Sequence, residues 1–288
     1  MRLSLLDSLT DAGMAGRPNE DAFATSENRA FVIDGATGLG NQQVMAGHGS
    51  DARWLAHFAR DRFLELSDLP VADIVRETNR RAGEQVREME SGRSLEAWAL
   101  PVAGFQMISI EEHEIITYGL GDCRLFILSP SDGRIFHTSA LKGNPAAERE
   151  RARAAIEKTG GLAKLASLSL DPSVQRELRE ARARYNTVDG PLWTLGTAPD
   201  AADFVVRETV PFSGEAVGLL CTDGFAALCD QYGLYDMAGL IAATRKRGLA
   251  SLLDELRHLE RILDPDGQAF PRYKVSDDAT AVLFEVRI

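Results

Sequence analysis

Three aspartates of this sequence lie at the ends of short apolar runs. They are Asp34 after the run 29–33, Asp223 after 219–222 and Asp277 just before 279–284. Apolar, β-branched runs bounded by polar residues and glycine are typical of strands, so each carboxylate is expected at a strand end. Carboxylate oxygens are the ligands that hard divalent cations prefer in proteins. The three aspartates are therefore candidates for a shared metal site.

The residue after Asp34 is a glycine, and this pair has two interpretations. Gly35 has no side chain, so its backbone carbonyl can be approached closely and can serve as a further oxygen ligand. Asp-Gly is also a common turn dipeptide, and this pair taken alone favours an ordinary turn. The recurrence of aspartate at two further strand ends favours the metal site instead.

Three more charged residues lie upstream, on the loop predicted between strands at 3–9 and 22–25. Glu20 and Asp21 add two carboxylates. Arg17 is either a loop arginine that pairs with these acids or a planar guanidinium that binds a phosphate. The residue types alone leave both interpretations open.

Taken together, these motifs resemble the metal-dependent serine/threonine protein phosphatases of type 2C, also called the PPM family, in a bacterial-type member. The matching segments are Arg-Pro-Asn-Glu-Asp at 17–21, Val-Ile-Asp-Gly at 32–35, Gly-Asp-Cys-Arg at 121–124, Thr-Asp-Gly at 222–224 and Asp-Asp-Ala-Thr at 277–280. No single segment is specific. The set, however, follows the family's order and roughly its spacing from near the start to near the end of the chain.

The resemblance implies a site for two Mn²⁺ or Mg²⁺ ions. Asp34 would bridge the ions, and Asp223 and Asp277 would complete the first. The Gly35 carbonyl and Glu20, the latter through water, would serve the second. Ligands that are all oxygen select magnesium or manganese over zinc.

Three further roles follow from the same resemblance. Asp21 would hold a water molecule bound to an ion, and Arg17 would bind the phosphate, although it lies one residue closer to Asp21 than in comparable members. Asp122 would bind an additional, weaker ion. Gly121-Asp122 is equally typical of a tight hairpin, so that alternative stays open.

The sequence departs from the family at two places. Many members carry histidine directly after the Asp-Gly pair, where it could protonate the leaving alkoxide, but this chain has Ala36. The segment 139–143 lacks the family's usual Asp-His. Neither departure removes a carboxylate of the metal core, which favours a working enzyme.

The predicted function is hydrolysis of phosphoserine and phosphothreonine monoesters on proteins by a metal-bridging hydroxide. Two alternatives remain: a phosphopeptide-binding or regulatory member of the same fold without catalysis, and a phosphatase of small phosphorylated metabolites. Retention of all the carboxylates argues against the first. The second would use the same site.

Composition sets bounds on the partners and the compartment. The 288 residues carry a formal net charge of −11, which argues against nucleic-acid or membrane-surface binding, because such proteins present a basic face. The three cysteines form no CxxC pair, which indicates reduced thiols and a cytoplasmic protein. No run approaches the length of a membrane span. The resemblance to the PPM family implies a phosphorylated protein as the partner.

The order of elements predicts a single α+β phosphatase domain over 1–288. Amphipathic spacing predicts helices at 51–66 and 71–89, and β-rich segments at 102–110, 115–118, 125–128 and 134–138 suggest an antiparallel meander. Strands and helices in blocks favour α+β. The resemblance sharpens this expectation to a four-layer αββα sandwich of two antiparallel sheets flanked by helices.

Two predicted helices within 144–186 form an insertion that would stand in for the smaller flap that the family places beside its metal site. Asn144 and Asp171, each followed by proline, are predicted to cap them. Their arginines have two interpretations: a solvated face balanced by glutamates, which is the more common case, or a docking surface for an acidic phosphoprotein that includes Arg176, Arg179 and Arg182.

Overall fold

Ten strands form in the part of the chain that the computed structural model describes, which is residues 1–288 without 41–42, 91–94, 113, 139–144, 164, 166, 212–213 and 288. They are β1 (Arg2–Asp11), β2 (Asp21–Thr25), β3 (Arg29–Gly35), β4 (Ala103–Glu111), β5 (Glu114–Leu120), β6 (Arg124–Leu128), β7 (Ile135–Thr138), β8 (Val206–Thr209), β9 (Ala216–Cys221) and β10 (Ala279–Arg287). Sheet one has the order β1-β10-β9-β6-β7, and sheet two has the order β2-β3-β4-β5-β8. Their strand pairs are antiparallel.

Seven α-helices accompany these strands in the described residues. They are α1 (Asp51–Glu65), α2 (Val71–Met89), α3 (Pro145–Thr159), α4 (Pro172–Arg182), α5 (Asp223–Asp230), α6 (Met237–Arg247) and α7 (Leu249–His258). The side chains of Ser50 and Asp171 cap α1 and α4 by accepting backbone N–H groups, whereas Asn144 lies outside the described residues. None of the described helices has the length and apolar character that spanning a bilayer requires.

Three apolar clusters show that the elements stack in four layers. Val32 of sheet two and Val282 of sheet one belong to a cluster buried between the sheets. Phe63 of α1 packs edge-on against Phe105 of sheet two, with ring centroids 5.3 Å apart. On the opposite side, α5, α6 and α7 cover sheet one around Leu219. The predicted αββα sandwich is therefore confirmed.

The predicted continuous meander after residue 102 is wrong. β4 pairs with β5 and β6 pairs with β7, but the chain changes sheets at Gly121-Asp122, so β6 pairs with β9 instead of β5. The alternative of a tight hairpin at this pair is wrong for the same reason. Since β5 and β6 are both largely buried, their continuous apolar runs carried no signal that assigned them to different sheets.

The insertion between β7 and β8 has an apolar cluster of its own. Leu162, Leu168 and Val174 are buried there, and Tyr273 and Val275 pack against them from the segment that precedes β10. The Leu168 N–H also donates to the Tyr273 carbonyl at 2.8 Å. The insertion is thereby attached to the chain that leads into Asp277.

We predict that Gly218→Ala destabilises the protein, because a Cβ at this position of β9 would lie 2.0 Å from the ring of Phe284. The two residues face each other across sheet one, and the ring is fully buried. Overpacking of this kind costs about 1–3 kcal/mol. Urea unfolding measures the loss. The matched control is Gly38→Ala, whose added Cβ would meet no atom of the described residues within 4 Å beyond its chain neighbours. An equal effect of both substitutions would contradict the packing argument.

Candidate active site

Sheet two positions Glu20, Asp21 and Asp34 at one end of its first two strands. Asp21 opens β2 and pairs in register with Asp34 near the end of β3. The Gly35 N–H donates to the Glu20 carbonyl at 3.1 Å. The strand pairing therefore brings together three carboxylates that lie up to 14 residues apart in the sequence.

The glycine after Asp34 is required by close approach of the backbone on both sides. A Cβ on Gly35 would lie 2.5 Å from the Glu20 carbonyl oxygen and 2.7 Å from that of Ala52 in α1. Real side chains do not tolerate these distances. Gly35 is therefore part of β3 and not a turn residue, because it ends the strand beneath the first turn of α1.

Sheet one delivers the other aspartates to the same place. Asp223 lies two residues after the end of β9 and begins α5, and Asp277 lies two residues before the start of β10. The Thr222 hydroxyl donates to Asp21 Oδ2 at 2.8 Å, and the Thr280 N–H donates to the Thr222 hydroxyl at 3.0 Å. These bonds connect the ends of the two sheets.

Asp278 has a positioning role that the sequence analysis did not assign. Its carboxylate accepts the backbone N–H of Glu20 at 2.7 Å and that of Gly13 at 3.0 Å. It thereby fixes the loop that carries Arg17 and Glu20 against the start of β10. The sequence showed the Asp277-Asp278 pair, but it did not show that Asp277 is the candidate ligand and that Asp278 positions a loop. That loop lies more than 250 residues away in the sequence.

Lys274 is the second residue that the sequence analysis missed. Its ammonium donates a hydrogen bond to the Asp277 carboxylate, three residues further along. Burial acts to lower the pKa of this ammonium, but the carboxylates of Asp277, Glu20 and Asp34 together raise it above its ordinary value. The cluster of acids thus contains a cation supplied by the protein itself.

Three cavities meet at these residues. The first, of about 290 Å³, is lined by Arg17 and Glu20, and the second, of about 230 Å³, by Asp34, Gly35, Asp122 and Asp223. Asp122 and Asp223 also line the third, of about 370 Å³. Lys274 and Asp277 line all three.

The predicted site residues are therefore brought together, but on different sides of the Lys274–Asp277 pair. Arg17 is exposed at the rim of the first cavity, on the side of Glu20. Asp122 lies on the opposite side, where it borders Asp223 in two cavities. The structure separates the residue predicted to bind phosphate from the residue predicted to bind an additional ion.

Burial, together with the charges of neighbouring carboxylates, raises the pKa values of the acids in this cluster. Burial, then the charge of Asp278, raises the pKa of Asp21 to about 8. Burial, then the charges of Asp21 and Asp223, raises the pKa of Asp34 well above its ordinary value. Burial, then the charges of Asp122 and Asp277, raises the pKa of Asp223 well above its ordinary value. The cluster therefore carries more negative charge than the protein compensates.

The chemistry of these donors fits a hard divalent cation. All are carboxylate or carbonyl oxygens, and Asp21 Oδ1 is buried without a hydrogen-bond partner among the described residues. As the side chains stand, no group of three or more Asp, Glu, His or Cys residues within the described part of the chain is arranged to hold an ion. The Lys274 ammonium on Asp277 explains part of this, because it takes up a carboxylate that an ion would need.

The interpretation of α4 as a docking surface is wrong for two of its three arginines. Arg182 donates to the carbonyls of Thr37 at 2.8 Å and Ala36 at 3.3 Å. Arg179 donates to the Leu39 carbonyl at 2.6 Å. Both side chains bind the loop after Gly35 instead of facing solvent, because their guanidinium groups satisfy carbonyls that the loop leaves without backbone partners.

Arg176, the third of these arginines, is exposed. The segment 139–143, where the sequence departs from the PPM family, lies outside the described residues. The loop bound by α4 reaches the acid cluster, because the Thr37 hydroxyl donates to the Glu20 carboxylate. The insertion therefore contacts the site through two hydrogen-bonded steps, from Arg182 to Thr37 and from Thr37 to Glu20. It is better described as a support for the site than as a basic surface.

We predict that the metal-free protein loses stability as the pH rises from about 5 to 8. An acid whose pKa is raised on folding binds its proton more tightly in the folded state, so stability falls between the unfolded value of about 4 and the folded value. For Asp21 the folded value is about 8. Thermal unfolding in a chelator at pH 5 and pH 8 measures the loss, which should shrink in Asp21→Asn and persist in the exposed control Asp68→Asn. Equal losses in all three proteins would contradict the assignment.

Comparisons with known proteins agree with this architecture. No family model matches the sequence, and no curated protein matches it. Among solved structures, the serine/threonine phosphatase PstP/Ppp of Mycobacterium tuberculosis superposes with a TM-score of 0.58 at 15% identity, covering 100% of both chains.

A structure of the catalytic domain of PstP in complex with 2 manganese ions gives a TM-score of 0.57 at 17% identity, covering 100% of this chain and 99% of that one. PppA of Pseudomonas aeruginosa, described as a key regulatory component of T6SS, gives 0.52 at 15% identity, covering 99% and 97%. At these identities the likeness concerns the fold alone. The chain therefore has the fold of these bacterial proteins, as the resemblance of its motifs implied.

Proposed function

We propose that this protein is a Mg²⁺- or Mn²⁺-dependent phosphatase that hydrolyses phosphoserine and phosphothreonine monoesters on proteins. The observation that carries the proposal is the convergence of carboxylates from both sheets on adjoining cavities, with raised pKa values at Asp21 and Asp34. Carboxylates held together against their repulsion indicate a site for cations. The fold shared with serine/threonine phosphatases of known structure supports phosphate ester hydrolysis as the reaction.

The residues that would hold the ions are those expected from the motifs. Asp34 would bridge a pair, with Asp223 and Asp277 on one side and Glu20 and the Gly35 carbonyl on the other. Such a pair supplies an activated water molecule and neutralises the charge of the phosphoryl group. Asp122 would serve a further, weaker ion.

The protein's own groups orient the reactants. The Arg17 guanidinium, at the rim of the first cavity, would bind two phosphate oxygens as a planar fork. Asp21 would hold a water molecule through Oδ1, because Oδ2 is already engaged by Thr222. Thr37 and Asp278 would fix Glu20, the first through its side chain and the second through its backbone N–H.

Residues 1–288 would form one catalytic domain. The enzyme would act in the cytoplasm, where the free thiols of Cys123, Cys221 and Cys229 would stay reduced. The substrate would be a phosphorylated protein and not a nucleic acid, since the net charge of −11 repels polyanions.

A regulatory member without catalysis is the second candidate, because the neighbour PppA is described as a regulatory component. The two candidates differ in turnover. A binding module would retain phosphothreonine peptides without hydrolysing them, whereas an enzyme would release phosphate. The metabolite phosphatase differs in its preference for small substrates over peptides.

We predict that hydrolysis of an aryl phosphate and of a phosphothreonine peptide requires added Mn²⁺ or Mg²⁺ and depends on Asp34. Asp34→Ala should lower turnover by more than about 100-fold, since partners outside the ligand shell are already worth 10–100-fold. Asp122→Ala should lower turnover less and raise the ion concentration needed. Phosphate release measures both, with exposed Asp68→Ala as the control.

Full activity after exhaustive chelation would contradict the metal requirement, and wild-type turnover by Asp34→Ala at saturating ion would contradict the bridging role. Comparable rates on phosphotyrosine peptides would remove the serine/threonine preference. Binding of the phosphothreonine peptide without release of phosphate would favour the regulatory candidate.

We also predict that Arg182→Ala weakens Mn²⁺ binding by roughly 10-fold, as loss of an outer-shell support does. Arg182 holds Thr37, and Thr37 holds Glu20. Titration calorimetry measures the affinity. Arg176→Ala removes an exposed arginine from the same helix and should bind Mn²⁺ like the wild type; if both variants behave alike, Arg182 has no special connection to the site.

A further inference from the structure

Lys274 places a positive charge among the carboxylates that are proposed to bind metal ions. A cation in this position is unexpected, because it repels a divalent ion and occupies one of the ion's ligands. Its ammonium donates to Asp277, one of the carboxylates proposed to hold the first ion. The pair borders all three cavities, so the ammonium stands between the Glu20 side and the Asp34 side of the cluster. A lysine there is an internal counter-charge.

The other cations that line these cavities are engaged elsewhere or stand at the margin. Arg182 binds loop carbonyls, Arg124 pairs with Asp230 at 2.8 Å, and Arg272 pairs with Asp264 at 2.8 Å. Arg17 lies exposed at the rim of the first cavity, and Arg149 of α3 lies exposed beside the third. Lys274 thus forms an ion pair with a carboxylate of the proposed ligand set.

The backbone of Lys274 is held on both sides, whereas the end of its side chain is partly exposed. Lys274 forms an isolated antiparallel bridge with Ser167, and its neighbours Tyr273 and Val275 pack into the apolar cluster of the insertion. The side chain keeps 25% of its surface exposed and that of Asp277 keeps 38%, so the ion pair is open to solvent. A lysine ammonium on four flexible carbons can leave such a pair without a change in the backbone.

We propose that the Lys274 ammonium is a resident cation that competes with a divalent ion for Asp277, so that the ion binds only when Lys274 releases this carboxylate. The inference rests on the metal binding of the proposed function, but not on its catalytic activity. In the metal-free protein Lys274 compensates the repulsion among the acids. In the loaded protein it is displaced toward the cavities, where the ion has taken over its charge.

If Lys274 competes with the ion, Lys274→Gln should lower the stability of the metal-free protein and raise its affinity for Mn²⁺. Lys274→Gln removes the counter-charge, so the metal-free protein should melt at a lower temperature than the wild type. The same change removes the ammonium that competes for Asp277, so Mn²⁺ should bind roughly tenfold or more tightly. A unit positive charge in contact with a carboxylate near a protein surface interacts with it strongly enough for such a change. A lysine with a purely structural role would lower the melting temperature without strengthening Mn²⁺ binding.

The test is titration calorimetry with Mn²⁺ alone, together with thermal unfolding in a chelator, on four proteins. These are the wild type, Lys274→Gln, the charge-retaining Lys274→Arg and Lys246→Gln, which removes an exposed lysine at the end of α6. The proposal expects tighter binding in Lys274→Gln only. Unchanged or weaker binding in that variant, or equal tightening in Lys246→Gln, overturns it.

Two outcomes distinguish this inference from the proposed metal centre. If neither the wild type nor Lys274→Gln binds Mn²⁺ at millimolar concentration, the metal centre itself fails, and this inference fails with it. If both bind Mn²⁺ with equal affinity, the centre stands and only the competition is refuted. Should Lys274→Gln be unfolded without metal, refolding at Mn²⁺ concentrations below those that saturate the wild type supports the competition, and a need for equal or higher concentrations contradicts it.

Discussion

Repulsion between carboxylates is the constraint on which the site depends. Strand pairing places Asp21 beside Asp34, and the two sheets end close enough for Thr222 to bind Asp21. Each acid raises the free energy of ionising its neighbours, since removal from water weakens the screening between them. A fold that holds such charges together is stable only with protons, with the Lys274 ammonium or with bound cations among them.

The same constraint explains why so many backbone contacts converge on the site. Asp278 fixes the loop of Glu20, Gly35 admits α1 at close range, and the insertion is attached on both sides. Its helix α4 holds the loop after Gly35, and its apolar cluster holds the segment of Lys274. Destabilising charges are commonly retained at functional sites and offset by surrounding structure. The insertion offsets the repulsion among the carboxylates in this way, because its contacts hold the segments that carry them.

The sequence predicted most strands and helices and the acidic residues of the site, but not the residues that hold those acids and loops in place. Strand ends and glycines identified Asp34, Asp223 and Asp277 because these signals are local. Asp278 and Arg182 were missed or misread, because their partners lie far along the chain or are backbone carbonyls that no residue pattern marks. Lys274 was missed although Asp277 is only three residues away, because the cavities that the pair borders are lined by segments distant in the sequence. The transfer of the chain between sheets at Gly121 was hidden for a related reason: buried strands look alike whichever sheet they join.

Anomalous diffraction from crystals grown with Mn²⁺ locates bound ions without reference to activity. We expect paired Mn²⁺ peaks joined by the Asp34 carboxylate, with Asp223 and Asp277 around one of them and the Lys274 ammonium withdrawn from Asp277. A map at saturating Mn²⁺ with no peak among these carboxylates, and with Lys274 still bound to Asp277, would contradict it.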